Sequence, residues 1–157
     1  MCGINGIINL KAKPKNGKKT VSLMNKAVAH RGPDGAGIFC STDKSAFLGN
    51  RRLSIVDVKN GKLPHAYKHE GYEYALVFNG EIFNFKKIRQ ELSEAGYKFT
   101  TKSDSEVLLK SYIEWGSKCL NRFNGEFAFA IFDEKKQMIF LARDPVGVKP
   151  LFYTVLP

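Results

Sequence analysis

The chain has 157 residues, with 25 Lys and Arg against 15 Asp and Glu, a formal net charge of +10. That length holds about one domain and allows a core without covalent staples. Hydrophobic residues at 43% and charged residues at 25% exclude a disordered chain, and no apolar run approaches the ~20 residues of a membrane span.

Residues Met1–Leu10 are apolar and the lysines follow them, the reverse of a secretory signal. The expectation is therefore no targeting segment, no membrane association and a cytoplasmic protein. Residues 3–10 read as a buried strand in which Gly3 and Gly6 permit close backbone approach. Lys11, Lys13, Lys15, Lys18 and Lys19, grouped around Pro14 and Gly17, read as a solvated loop. The basic residues are otherwise scattered, so the charge speaks for solubility and attraction of anions, and no nucleic-acid interface is expected. Val21, Met24 and Val28 predict an amphipathic helix over 19–29, stopped by the Gly- and Pro-rich stretch His30–Gly35.

Short strands are predicted over 36–40, 46–49 and 53–57, with a turn at Asn60-Gly61 and Pro64 kept out of any sheet interior. Glu73–Phe78 reads as a buried strand. Phe85, Ile88, Leu92 and Ala95 form one stripe of a helix over 84–95, which Gly96 ends. A strand over Tyr97–Thr101 is followed by a capping box with Ser103 as N-cap and Glu106 three residues on, opening a helix that runs to Gly116. Glu126–Phe132 and Met138–Arg143 predict a hairpin, and a last short strand is expected near Leu151–Tyr153. Hairpins interleaved with helices argue for an α+β fold, with sheets packed on each other and helices outside.

The most reactive arrangement lies at Cys2. Removal of an initiator methionine before a small residue would leave Cys2 with a thiol and a free α-amine on neighbouring carbons. An amine that titrates near neutrality can take the thiol proton and return it to a leaving amine, a nucleophile–base pair within one residue. The three histidines, His30, His65 and His69, occur in no papain-like or caspase-like context. Cys2, Cys40 and Cys119 are odd in number, widely spaced and without a C-x-x-C pair, so neither a zinc site nor a disulfide framework is expected. By position alone Cys2 reads first as a small apolar residue at the start of a chain. Asn79-Gly80 alone reads as a turn, Asp104 as a helix N-terminal charge, and one of Arg51 and Arg52 as a surface charge.

Seven motifs change that balance. They are Met1-Cys2-Gly3-Ile4, His30-Arg31-Gly32-Pro33-Asp34-Gly35, Arg52-Leu53-Ser54-Ile55-Val56-Asp57, Asn79-Gly80-Glu81-Ile82-Phe83-Asn84, Ser103-Asp104-Ser105-Glu106-Val107, Gly125-Glu126-Phe127-Ala128-Phe129-Ala130 and the stretch from Ala142 to Leu151. In this order, over residues 2–157, they resemble the glutaminase domain of class II glutamine amidotransferases, in the asparagine-synthetase branch. The resemblance implies an N-terminal-nucleophile hydrolase fold, a four-layer αββα sandwich, and hydrolysis of the glutamine side-chain amide to glutamate and ammonia. It implies Cys2 as the nucleophile that forms a thioester, with Asn79 and Gly80 as the oxyanion hole. It assigns Arg52 to the α-carboxylate of glutamine, Asp104 to its α-ammonium, and Glu81 to a further pocket contact. No metal or organic cofactor is implied for this half. An ammonia-accepting synthetase partner would amidate aspartate.

The chain departs from the family pattern in three places. Lys102 stands where a small residue is common, and Leu63 precedes Pro64 where a glutamine is usual. The family domain also runs further at its C-terminus, so a truncated fold is expected. No Ser-Gly-Gly phosphate loop is present, which leaves the ATP- and Mg²⁺-using synthetase domain outside this chain. A catalytically silent fragment that only binds a partner is the alternative the sequence leaves open.

Overall fold

A computed structural model of the chain describes residues 1–53 and 63–155. It contains two antiparallel sheets. The first has three strands in the order β1-β3-β2, from Gly3–Ile8 (β1), Gly35–Cys40 (β2) and Ala46–Arg52 (β3). The second has four in the order β4-β5-β6-β7, from His65–His69 (β4), Tyr72–Ile82 (β5), Gly125–Asp133 (β6) and Met138–Arg143 (β7). Helix α1 (Gly17–Ala27) packs on the first sheet, and β1 and β3 pack on β5. On the far side of the second sheet lie α2 (Phe85–Glu94) and α3 (Asp104–Trp115). The layers therefore run α, β, β, α, as expected.

The middle strands show why their runs are apolar throughout. Successive β side chains point to opposite faces. Leu76 and Phe78 of β5, with Phe127, Phe129 and Ile131 of β6, join the core under α2 and α3. Ala75 and Val77, with Ala130 and Phe132, join the core between the sheets. Both faces are buried, so neither strand alternates with polar residues. A fully buried side chain of this size contributes roughly 1.5–3 kcal/mol by leaving water.

Several boundaries differ from the expectations. The segment Tyr97–Thr101 is not a strand, because its backbone donors are taken elsewhere. The Tyr97 N–H closes the end of α2 on the Leu92 carbonyl at 2.9 Å, beside Gly96 at φ +96°. The Thr100 and Thr101 N–H groups donate to the Glu106 carboxylate at 3.0 and 2.7 Å. That use of Glu106 also alters the capping box. Ser103 is the N-cap and its Oγ accepts the Ser105 N–H at 3.1 Å, but Glu106 turns away to the preceding loop. Leu151–Tyr153 forms no strand, and Phe152 and Tyr153 are exposed. β5 runs on through Asn79-Gly80, which is strand and not turn. β4 is an unanticipated edge strand that begins directly after Pro64. In the strand predicted over 53–57, Leu53 lies beyond the end of β3, and residues 54–57, with the Asn60-Gly61 turn, lie outside the described residues.

Candidate active site

Cys2 immediately precedes β1, whose first residue, Gly3, pairs with Arg51 near the end of β3. The Leu53 N–H donates to Cys2 Sγ at 3.4 Å, and the thiol faces the Leu53 carbonyl at 3.7 Å. Arg31 Nε donates to the Cys2 carbonyl at 3.1 Å. The His30–Gly35 stretch is therefore more than a helix stop. It clasps the end of β3, where Asp34 N–H donates to the Arg52 carbonyl at 3.0 Å and Pro33 bridges to Arg52. A side chain at Gly32 would stand 2.5 Å from the Arg51 carbonyl carbon and the Arg52 nitrogen. Only glycine lets the clasp close that far.

The end of β5 supplies a second wall. Asn79 is buried, and Gly80 adopts φ +152°. A Cβ at Gly80 would collide with the Glu126 carbonyl oxygen and stand 2.6 Å from Phe127 Cα on β6. Asn50 of β3, fully buried, accepts the Phe78 N–H at 2.9 Å and so ties the first sheet to β5 next to Asn79. Nothing in the local sequence around Asn50 announces this role, which exists only once the sheets are stacked.

The third wall is the N-terminus of α3. Asp104 is buried and its Oδ2 accepts the Ile82 N–H at 3.2 Å. Burial pushes the Asp104 carboxyl up from its ordinary range; the Ile82 and Ser105 N–H groups oppose the shift and nearby Glu81 adds to it. The loop that leads to Asp104 is pinned by a buried ion pair, Glu106 with Lys110 at 2.7 Å. The Lys110 ammonium also donates to the Lys98 carbonyl and lies 4.7 and 4.6 Å from the ring centres of Tyr67 and Phe99.

These walls enclose a cavity of about 280 Å³, close to the lower end of small-molecule sites at ~300 Å³. Cys2, Arg52, Asn79, Gly80, Glu81 and Asp104 all line it. Four distant segments thus bring every residue given a site role from the sequence to one place. Met1 lines it too, as do Ser103, Ser105, Glu126 and Lys149. The last two stood within recognised motifs but carried no assigned role. None of the three histidines is among the lining residues. Among the described residues, no group of three or more His, Cys, Asp or Glu could hold a metal ion, and no helix is long and apolar enough to cross a membrane.

Comparison with known proteins agrees with this architecture. Residues 1–157 match the family described as glutamine amidotransferase domain. The chain is 42% identical over 154 residues to asparagine synthetase [glutamine-hydrolyzing] 3 of Bacillus subtilis, covering 98% of the chain and 25% of that protein. It is 38% identical over 152 residues to asparagine synthetase B [glutamine-hydrolyzing] of Escherichia coli, covering 97% and 26%. It spans about a quarter of the length of these curated relatives. Among solved structures, the glutamine phosphoribosylpyrophosphate amidotransferase from B. subtilis superposes with a TM-score of 0.74 at 20% identity, over 94% of this chain and 38% of that one. The structure titled as the allosteric regulatory enzyme of purine biosynthesis superposes at 0.76, also with 20% identity and over the same shares of the two chains. These two likenesses carry the fold, the N-terminal-nucleophile hydrolase sandwich. The chain belongs to the glutamine amidotransferase domain family and is homologous over nearly its whole length to glutamine-hydrolysing asparagine synthetases.

Proposed function

We propose that this domain hydrolyses the side-chain amide of glutamine through a thioester on Cys2. The observation that carries the reading is the convergence of Cys2, Arg52, Asn79, Gly80, Glu81 and Asp104 on one cavity. Loss of Met1, itself a lining residue, would free the Cys2 α-amine and widen the cavity. That amine takes the thiol proton, the sulfur attacks the amide carbon, and the carbonyl electron pair moves onto oxygen. The lack of any histidine among the lining residues supports the amine as base.

The Asn79 amide and the Gly80 N–H stabilise the oxyanion, a type of contact worth about 10²–10³ in rate per donor. As the tetrahedral species collapses, the C–N bond breaks, the amine's proton passes to the leaving nitrogen, and ammonia departs. Water then cleaves the thioester, releases glutamate and restores the thiol. The Arg52 guanidinium holds the substrate α-carboxylate in a planar pairing, Asp104 holds the α-ammonium, and Glu81 is a further contact in the pocket. The zwitterion is thereby fixed at both charged ends with its amide toward Cys2.

No metal or organic cofactor takes part in this half. The ammonia passes to a synthetase domain or subunit of asparagine-synthetase type, which amidates aspartate using ATP and Mg²⁺. The test is mass spectrometry for loss of Met1, followed by ammonia release from glutamine by wild type and Cys2→Ala, and by mapping of a glutamine-like electrophile to Cys2. Retained Met1, equal release by both proteins, or labelling elsewhere would overturn the proposal.

A further inference from the structure

The cavity holds more negative charge than the clamp requires. Glu81 of β5 and Glu126 of β6 are direct cross-strand partners, and like charges placed opposite one another in a sheet are destabilising. Asp104 adds a third carboxylate, buried and sensitive to Glu81. Among the described residues, the cationic side chains that line it are those of Arg52 and Lys149. The Lys149 ammonium pairs with Glu126 at 2.8 Å, and its side chain is only 10% exposed.

A lysine this buried needs a reason to be there, and its backbone has one. Asp144, itself buried, accepts the N–H groups of Phe127, Val148 and Lys149 at 3.1, 2.8 and 3.0 Å. These bonds outweigh burial and hold the Asp144 carboxyl below its ordinary range. The loop after β7 is thus built to bring the Lys149 stem to the wall formed by Glu126. Arg143, the exposed last residue of β7, has its guanidinium beside Gly147.

We propose that Lys149 is the charge-balancing residue of this cavity. By neutralising Glu126 it lets Glu81 and Asp104 stand together as carboxylates, ready for the ammonium of a bound amino acid. Lys149 is on this account a positioning residue that acts through its neighbours. The inference rests on the reading of Asp104 as the ammonium-binding carboxylate with Glu81 beside it in the pocket. Among the described residues, those with ionisable groups that line the cavity are Met1 at the chain terminus, Cys2, Arg52, Glu81, Asp104, Glu126 and Lys149, and Asp144 lies behind the wall.

The test compares wild type, Lys149→Met and the double variant Lys149→Met/Glu126→Gln. Methionine keeps the buried stem, and circular dichroism checks that each variant is folded. The first readout is a ¹³C-NMR titration of the Asp104 and Glu81 carboxyls, which needs no activity. In Lys149→Met the Asp104 carboxyl should titrate higher than in wild type, and the double variant should return toward wild type. The second readout is the acid limb of kcat/KM for glutamine. It should move to higher pH in Lys149→Met, so that the loss relative to wild type grows as pH falls and approaches about tenfold per unit of movement only below both titrations, and it should recover in the double variant. An unmoved Asp104 carboxyl in Lys149→Met, or a double variant no better than the single one, would overturn the proposal. Wild type inactive with glutamine but with carboxyls that respond as described would instead sink the glutaminase reading and leave the charge balance standing.

Discussion

Replacement of Glu106 by glutamine should be the most revealing change outside the cavity. Glu106 and Lys110 are each 1% exposed and paired at 2.7 Å. Burial by itself would raise the Glu106 carboxyl, but the Lys110 ammonium and the donors of Thr100 and Thr101 outweigh it and bring the carboxyl down from 4.5 to about 2. The difference, 4.5 − 2 = about 2.5 units, corresponds to about 3 kcal/mol at 1.36 kcal/mol per unit. An independent figure comes from buried pairs in general, where removal of one partner costs about 3–5 kcal/mol because the other charge is stranded.

Glu106→Gln would strand Lys110 with the Lys98 carbonyl and two aromatic faces. Urea unfolding should therefore show a loss of about 3 kcal/mol at neutral pH, a large part of the ~5–15 kcal/mol expected for a domain. The pH dependence gives a second check. A depressed carboxyl contributes stability that is complete above about 4.5 and is lost as pH falls through about 2. Wild type should lose that increment across this window, and Glu106→Gln should not. Glu106→Gln/Lys110→Met should recover much of the loss at pH 7. A single variant within 1 kcal/mol of wild type, or one with an unchanged acid transition, would refute this reasoning.

Three further outcomes follow from the site. Asn79→Ala should lower kcat for ammonia release by about 10²–10³ with little change in KM, measured by steady-state kinetics. Asp104→Asn should raise KM for glutamine by about 10–100-fold, the worth of a charged hydrogen bond. It should also raise Tm at neutral pH: the folded carboxyl titrates above its unfolded value, so its contribution to stability is present at low pH and lost as pH rises through the folded value. Asn50→Ala, which orphans the buried Phe78 N–H, should cost about 1–3 kcal/mol in urea unfolding.

Much of this protein could be read from the linear chain. The helices over 84–95 and 104–115, and the hairpin between Asp133 and Met138, follow from apolar period and turn residues, which act over a few positions. The two-faced burial of β5 and β6 was legible as uninterrupted apolar runs such as Ala75-Leu76-Val77-Phe78. Cys2, Arg52, Asn79, Gly80, Glu81 and Asp104 were legible because they occur in a family's order.

Other features depended on groups brought together across the fold. Glu106 reads as a capping residue until Lys110, Thr100 and Thr101 compete for its carboxylate, and the same competition removes the strand expected at Tyr97–Thr101. Asn79-Gly80 reads as a turn until β6 supplies a partner strand on which Gly80 can close tightly. The pairing of Glu126 with Lys149, 23 residues apart in the chain, exists only because the loop after β7 folds back over β6. Local sequence determines which backbone conformations and faces are favoured, because those preferences are set by each residue and its near neighbours. Which buried charge meets which depends on long-range packing, and here that packing decided how the cavity's carboxylates are held.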